Sequence, residues 1–303
     1  MPPTSAADVA VGRRTEAELG LLALVWGSSF LWIKVALEGL TPTQVVAGRM
    51  LFGAAALSLA AVLGFAAFPT TARQWRLVTV LSVIQNVIPF ALFAWGEQRI
   101  SSSSATVMNA TTPLWTAVIA AIALVPGESL NRRRIEALLA GLAGVVVIVE
   151  PWRAGGGQVL GQVACLGAAA LYGVGFIFTS RYILGKMPTK AAAVGQIVSG
   201  AAIALVIAVA ATAVSGDTPH VDAHIAGAVL MLGALGTGLA FLLSFHLQEI
   251  TGPTATSAVT FLMPFVGVLL GVLVLDETLR WTLAAGGALV LLSAVRVRPK
   301  RLL

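Results

Sequence analysis

Charge is what this sequence has least of. Asp, Glu, Lys and Arg make up 11% of its 303 residues, where a soluble domain needs roughly a quarter to coat its surface. A water-soluble globular fold is excluded. Cysteine is nearly missing too: Cys165 stands alone in an apolar run, so no disulfide can close within one chain, and no CxxC or Cys/His cluster offers a metal site. There is no Walker A loop, no Rossmann glycine pattern and no nucleophile elbow. Nor do His, Asp and Cys gather anywhere as a catalytic set would require. The expectation is a protein that is not an enzyme and carries no cofactor or metal.

What is present is apolar length. Hydrophobic residues make up 58% and the mean hydropathy is +0.92. Segments of 18 or more apolar residues recur from end to end, each long enough for a hydrocarbon core of about 30 Å. Divided at Gly, Pro and charge, they predict ten helices, at approximately 19–38, 43–65, 75–96, 102–125, 134–150, 158–182, 190–214, 223–246, 253–275 and 279–296. The formal charge of +6 does not point to nucleic acid, because the Lys and Arg occupy short loops. With the N-terminus inside, fourteen of the 19 fall on the cytosolic side and three (Arg99, Arg153 and Arg280) on the other. That asymmetry predicts a multi-pass protein with both termini cytosolic. Trp75, Trp152 and Trp281 stand at span ends, where an interfacial belt places them. No small-residue cleavage site precedes the second span, so the first helix is expected to be uncleaved.

One piece occurs twice. TTPLWTAVIAAIALVPGESL (Thr111–Leu130) is echoed by LMPFVGVLLGVLVLDETL (Leu262–Leu279), pairing Pro113 with Pro264 and Glu128 with Glu277. Earlier in each half, Trp26-Gly27-Ser28-Ser29-Phe30 pairs with Tyr172-Gly173-Val174-Gly175-Phe176, and Pro42 with Pro188. The predicted architecture is all-α: two five-helix repeats, 18–150 and 155–298, between tails at 1–17 and 299–303. Five is odd, so the second repeat enters the membrane from the opposite side. Such inverted repeats are a recurring design of secondary transporters, with the substrate site near the midplane and two units that rock against each other.

These residues resemble a family, the EamA-type carriers of the drug/metabolite transporter superfamily. The resemblance rests on LVWGSSFLWIK (Leu24–Lys34), Arg49, the Pro113…Glu128 run and its copy Pro264…Glu277 followed by Gly286-Gly287. It covers about 18–298. One departure is visible, VPGESL in the first half against LDETL in the second. The resemblance implies a ten-helix carrier in the cytoplasmic (inner) cell membrane. It also implies export of small metabolites, amino acids or related compounds, or drugs, by an electrochemical mechanism.

Candidate substrate contacts follow from polarity out of place. Arg49 lies about 9 Å inside the second span, a cation that needs polar company or a route to the headgroups. It reads as a contact for a substrate carboxylate or a latch for the outer gate. Lys34 and Glu38 read as a solvated i,i+4 pair. Gln85, Asn86, Asn109 and Gln196 are amides at midplane depth, facing other helices or a wet cavity; His246 closes the eighth span. Trp26, Trp95, Trp115, Tyr172 and Phe176 form an aromatic set suited to an apolar body or an organic cation. Ordinary bundle packing accounts for these residues equally well. Pro113 and Pro264 are candidate helix breaks near the site. Ser101–Ser104 reads as an N-cap, and Glu128 and Glu277 as capping or interface groups. None of the 13 acidic residues falls at the centre of a predicted span, which leaves His246 as the candidate proton relay.

The expected partners are a small-molecule substrate and the lipid bilayer, with the chain a monomer or homodimer. A passive channel is the main alternative, although it calls for a continuous polar pore or charged rings. A non-transporting membrane subunit is another, although it calls for a larger soluble part.

Overall fold

The computed structural model of the chain describes residues 6–123, 132–150, 155–251, 256 and 258–297. Glu128, Trp152, Arg153 and the far ends of both expected tails lie outside the described residues. Within them all regular structure is helical. The order is α1 (Ala6–Ala36), α2 (Pro42–Val62), α3 (Ala72–Ser82), a π-helical turn (Val83–Val87), α4 (Ile88–Glu97), α5 (Ser102–Asn109), α6 (Thr112–Ile122) and α7 (Arg132–Val149). Then come α8 (Gly156–Phe178) with a π turn (Thr179–Ile183), α9 (Thr189–Ser215), α10 (Ala223–Leu230), a π stretch (Met231–Leu239) and α11 (Ala240–Thr251). A 3-10 turn (Ala258–Phe261), α12 (Met263–Val274) and α13 (Trp281–Val297) complete it.

Among the described residues seven helical runs are long and apolar enough to cross a membrane: Thr15–Ala36, Pro42–Val62, Ala72–Glu97, Ser102–Ile122, Gly156–Ile183, Thr189–Ser215 and Ala223–Ile250. Three shorter apolar helices accompany them, Ile135–Val149, Val259–Val274 and Trp281–Ser293. The outward faces are apolar. On α9, Val206, Val209 and Val214 are 68%, 60% and 91% exposed. In water such a face would be an aggregation site; against lipid tails it costs nothing.

Helix ends follow local chemistry. Thr41 caps α2 through a reciprocal box with Gln44, and Ser101 accepts from the Ser104 amide at the start of α5. Asp222 caps α10 by accepting from the Ile225 amide at 2.8 Å, a bond that holds its carboxyl below the usual carboxylate range. The interruptions have causes too. Pro89 offers no N–H, and just before it the chain widens into the π turn, where Ile88 bonds five residues back to Val83. Pro113 and Pro264 sit in the first turns of α6 and α12, where no N–H is required.

Packing crosses the middle of the chain. The most extensive helix pairs are α7 with α13, α2 with α9 and with the π stretch, α4 and α6 with α8, α1 and α5 with α12, and α3 with α9. Each joins a helix before residue 150 to one after 155. Close approach is permitted by glycine: a Cβ on Gly267 would lie 2.4 Å from Thr106 Oγ1, and one on Gly271 2.4 Å from Ser103 Oγ. The GxxxG spacing of α12 is therefore a packing device against α5.

Candidate functional site

Where the helices part, a cavity lies between α1, α2, α4, α8 and α11. It encloses about 690 Å3 with its mouth included, an upper bound on the scale of a small organic molecule. Eight of its seventeen lining residues are aromatic: Trp26, Phe30, Phe90, Phe93, Tyr172, Phe176, Phe241 and Phe245. Rings meet edge-to-face across it, Trp26 with Phe241 at 5.8 Å and Phe30 with Phe93 at 5.3 Å, while Phe93 and Tyr172 are tilted at 5.8 Å. The polar lining is sparse: Ser29, Gln85, Asn109, Ser244, Gln248 and Thr260. Among the described residues Arg49 is the only charged one in the wall.

Arg49 is held there by two elements that the backbone brings unusually close. A Cβ on Gly233 would come within 2.8 Å of the Arg49 carbonyl, and one on Gly53 within 3.1 Å of the Gly233 carbonyl, so α2 and the π stretch touch main chain to main chain. Arg49 Nε then donates to Thr237 Oγ1 at 2.8 Å. Thr237 donates in turn to the Leu232 carbonyl five residues back, a bond that only the widened helix makes possible. The guanidinium carbon lies over the Phe90 ring, 3.7 Å from its centroid. Among the described residues nothing accepts from the two terminal nitrogens of Arg49. They are free for an anion, which a planar fork can grip with two parallel bonds.

Of the candidate contacts, Trp26, Arg49, Asn109, Tyr172 and Phe176 line the cavity together. Trp26 Nε1 is tied to the Gly236 carbonyl at 3.2 Å, and Asn109 Nδ2 to Met263 Sδ at 3.5 Å. Asn86, Trp95, Trp115, Gln196 and His246 are placed elsewhere. Gln196 on α9 donates to Gln85 Oε1 (3.1 Å) and Asn86 Oδ1 (2.5 Å), a buried amide junction behind the cavity wall. Trp95 is covered by the Arg99 guanidinium at 3.6 Å, and Trp115 Nε1 donates to Thr111 Oγ1. His246 is half exposed, 3.8 Å from a Glu18 carboxylate oxygen. Pro113 and Pro264 lie in the first turns of α6, which follows Asn109, and of α12. Among the described residues no His, Cys, Asp and Glu cluster could hold a metal.

The two ends of the bundle differ. At the α4–α5 end a chain of polar contacts links five connections. The His220 amide donates to the Gly39 carbonyl, and Gln44 Nε2 to the Asp217 carbonyl. Lys34 donates to the carbonyls of Glu97 and Ile100. Glu277 accepts from the Ser102 and Ser103 amides and from Ser103 Oγ, at 2.6, 3.0 and 2.6 Å. Arg280 pairs with Glu150 at 2.9 Å. The expected Lys34–Glu38 pair is corrected here, because the carbonyls that end α4 have no helical donor and claim the ammonium instead. Glu277, expected to cap, caps α5. The cavity stops short of this network, at Ile33 beside Lys34 and at Phe93 one turn before Glu97. In the other direction its lining runs through Ser244 and Phe245 to Gln248, beside Glu249, which accepts from Thr189 Oγ1 at 2.8 Å.

Several residues were not legible as site residues. Phe30, Phe90, Phe93, Phe241 and Phe245 line the cavity but carry no mark that separates them from ordinary apolar positions. Glu97 sits two residues before Arg99 and reads as loop, yet it is fully buried.

Comparison with known proteins places these features. The model of the EamA-like transporter family matches residues 19–150 and again 159–297. The chain is 24% identical over 281 residues to the uncharacterized transporter YcxC of Bacillus subtilis, covering 91% of this chain and 89% of that protein. It is 23% identical to a chloroplastic WAT1-related protein of Arabidopsis thaliana, over 88% of this chain and 65% of that one. With protein PagO of Salmonella typhimurium it shares 25% over 82% and 81%. A solved crystal structure superposes with a TM-score of 0.67 at 19% identity, covering 96% of this chain and 99% of that one, a likeness of fold.

Proposed function

Because the chain belongs to the EamA-like transporter family, a family of membrane transporters, we propose that it is a secondary carrier exporting a small organic acid by alternating access. The substrate is a carboxylate with an aromatic or apolar body, amino acids and related metabolites included. The observation that carries this reading is Arg49, among the described residues the one charged group in an aromatic wall, with two nitrogens that none of them accepts from. A buried guanidinium is costly in an apolar setting. Thr237 and the face of Phe90 offset part of that cost, and a bound carboxylate would offset more. The aromatic faces suit the substrate's body and, where an amine is present, attract it as well.

The seven long runs and the three shorter helices are then ten crossings, arranged as two inverted five-helix repeats in the cytoplasmic membrane with both termini cytosolic. The Lys and Arg distribution supports that orientation. In it the α4–α5 end is external and shut, and the cavity faces the cytosol, the side from which an exporter loads. The rocking bodies are not the two sequence halves, since every extensive helix pair bridges them; each moving body takes helices from both. The lining comes from one chain, so a monomer suffices.

The test is flux in proteoliposomes with labelled aromatic amino acids, aromatic carboxylates lacking an amine, and lipophilic cations, each with and without a protonophore. Carboxylate transport that falls about 30-fold or more in Arg49→Ala is the expected outcome, the scale of a lost buried charge contact of 2–5 kcal/mol. Cation transport indifferent to Arg49 would overturn the substrate class. Equilibration without accumulation, unaffected by the protonophore, would make the protein a facilitator.

A further inference from the structure

The closed end holds a buried acid to which the transport reading gives no task. Glu97, the last residue of α4, is fully buried, and among the described residues neither carboxylate oxygen has a hydrogen-bond partner. Its surroundings do not compensate. Lys34 of α1 gives its protons to main-chain carbonyls, one of them that of Glu97 itself. The other charged groups within electrostatic reach are Glu277 and Arg49. Glu277 is committed to the start of α5, and Arg49 of α2 lies over Phe90 with its Nε on Thr237, so that it makes no hydrogen bond to Glu97. The α8 face packed on α4 brings Cys165 and Tyr172, while α5 and the Val83–Val87 turn bring no titratable side chain. An ionised carboxylate with no donor is among the costliest groups to bury, and a protonated one is far less so.

We propose that Glu97 is a proton-binding site that controls this end of the carrier: the end closes over a protonated carboxyl, and opening hydrates Glu97 and lets it release the proton to the external solution. The inference rests on the alternating-access reading. Closed, the group is a carboxylic acid beside a Lys34 turned toward the α4 carbonyls. Open, it is a hydrated carboxylate facing the Lys34 ammonium, with the proton gone to water. The closed form thus holds one proton more than the open form. Acidifying the external side favours closure, by at most about tenfold per pH unit for one proton. Phe93, one turn earlier on the same helix face, borders the cavity, so protonation and substrate occupancy act on adjacent turns of one helix.

Two measurements on the full-length protein test this. Infrared spectra in nanodiscs should show a protonated-carboxyl C=O band at neutral pH that is lost in Glu97→Gln. In right-side-out vesicles, Ile33→Cys in a Cys165→Ala background is labelled from outside with an impermeant maleimide. Rates are normalised to Glu38→Cys, exposed on the α1–α2 connection, to remove the thiol's own pH dependence. From about pH 8 to about pH 6 the normalised rate should fall several-fold with Glu97 intact. In Glu97→Gln it should be slow and flat, and in Glu97→Asp the pH dependence should return. Identical infrared spectra, or the same pH profile in Glu97→Gln as in its parent, overturn the proposal. Labelling at one constant rate removes the proton site and leaves alternating access standing. A cysteine never labelled in any variant removes both.

Discussion

At the end that carries Lys34, Glu97 and Glu277, polar contacts join five connections, and the cavity lining stops at Ile33 and Phe93 beneath them. At the end that carries Glu18 and His246, the cavity lining continues to Gln248, beside the last turn of α11. Both ends are built from the same kind of chain, apolar helices with short links. What separates them is where unsatisfied main-chain groups meet a side chain able to serve them. The start of α5 meets Glu277 and the end of α4 meets Lys34. On the proposed alternating-access reading, this end is a gate made from helix ends, whose leftover donors and acceptors recur at every turn of the chain. It needs few charged residues, which suits a sequence that has few.

The comparison can be broken most directly at Glu277. Glu277→Ala removes three hydrogen bonds from the first turn of α5, about 2–4 kcal/mol by the usual worth of charged bonds and a favourable helix dipole. The expected result is at least a tenfold faster external labelling of Ile33→Cys, read against Glu277→Gln, which keeps part of the bonding. A mid-bundle change should lower stability without favouring either end. Gln196→Leu leaves Gln85 Oε1 and Asn86 Oδ1 without their donor, at about 1–3 kcal/mol. A lower Tm with unchanged labelling bias is expected; a changed bias would make the amide junction part of the gate. A smaller effect belongs to Asp222. Its folded-state carboxyl lies below the usual range because the Ile225 amide bonds it. The cap's contribution is therefore present above the ordinary carboxylate range and lost as pH falls through the depressed value. Hydrogen exchange of the α10 amides should rise in acid in the wild type, and Asp222→Asn should abolish that dependence. Smallest of all, Glu249→Gln at the opposite end, an exposed contact with Thr189, should alter stability by no more than about 0.5 kcal/mol.

Much of this was legible in the sequence, for definable reasons. A membrane-spanning helix advertises itself through length and the absence of charge, so the positions of the apolar segments could be read directly. Arg49 was legible because a cation in an apolar run has few explanations. Tyr172 and Trp26 could be paired through the internal echo, and both line the cavity. Legibility ended where burial depends on a neighbour distant in sequence. Glu97 is one residue past a predicted span, and only the packing of α1 and α8 removes it from water. Trp115 and Trp95 are no different in kind from Trp26, but one bonds within its own helix and the other lies under Arg99. The π stretch that presents Thr237 to Arg49 contains three glycines, and their spacing does not announce a widened helix.

The crossing of helix partners between the two halves has a consequence for biogenesis. A chain made from its N-terminus threads α1 to α7 into the bilayer before α8 exists. During that interval α2, α4 and α7 present to lipid the very surfaces that later meet α9, α8 and α13. Lipid tails tolerate apolar faces, so most of the wait is harmless. Arg49 and the amides Gln85 and Asn86 are less easily accommodated, because their partners Thr237 and Gln196 have not yet been synthesised. Those early polar groups stay unpartnered until α9 and the π stretch are made.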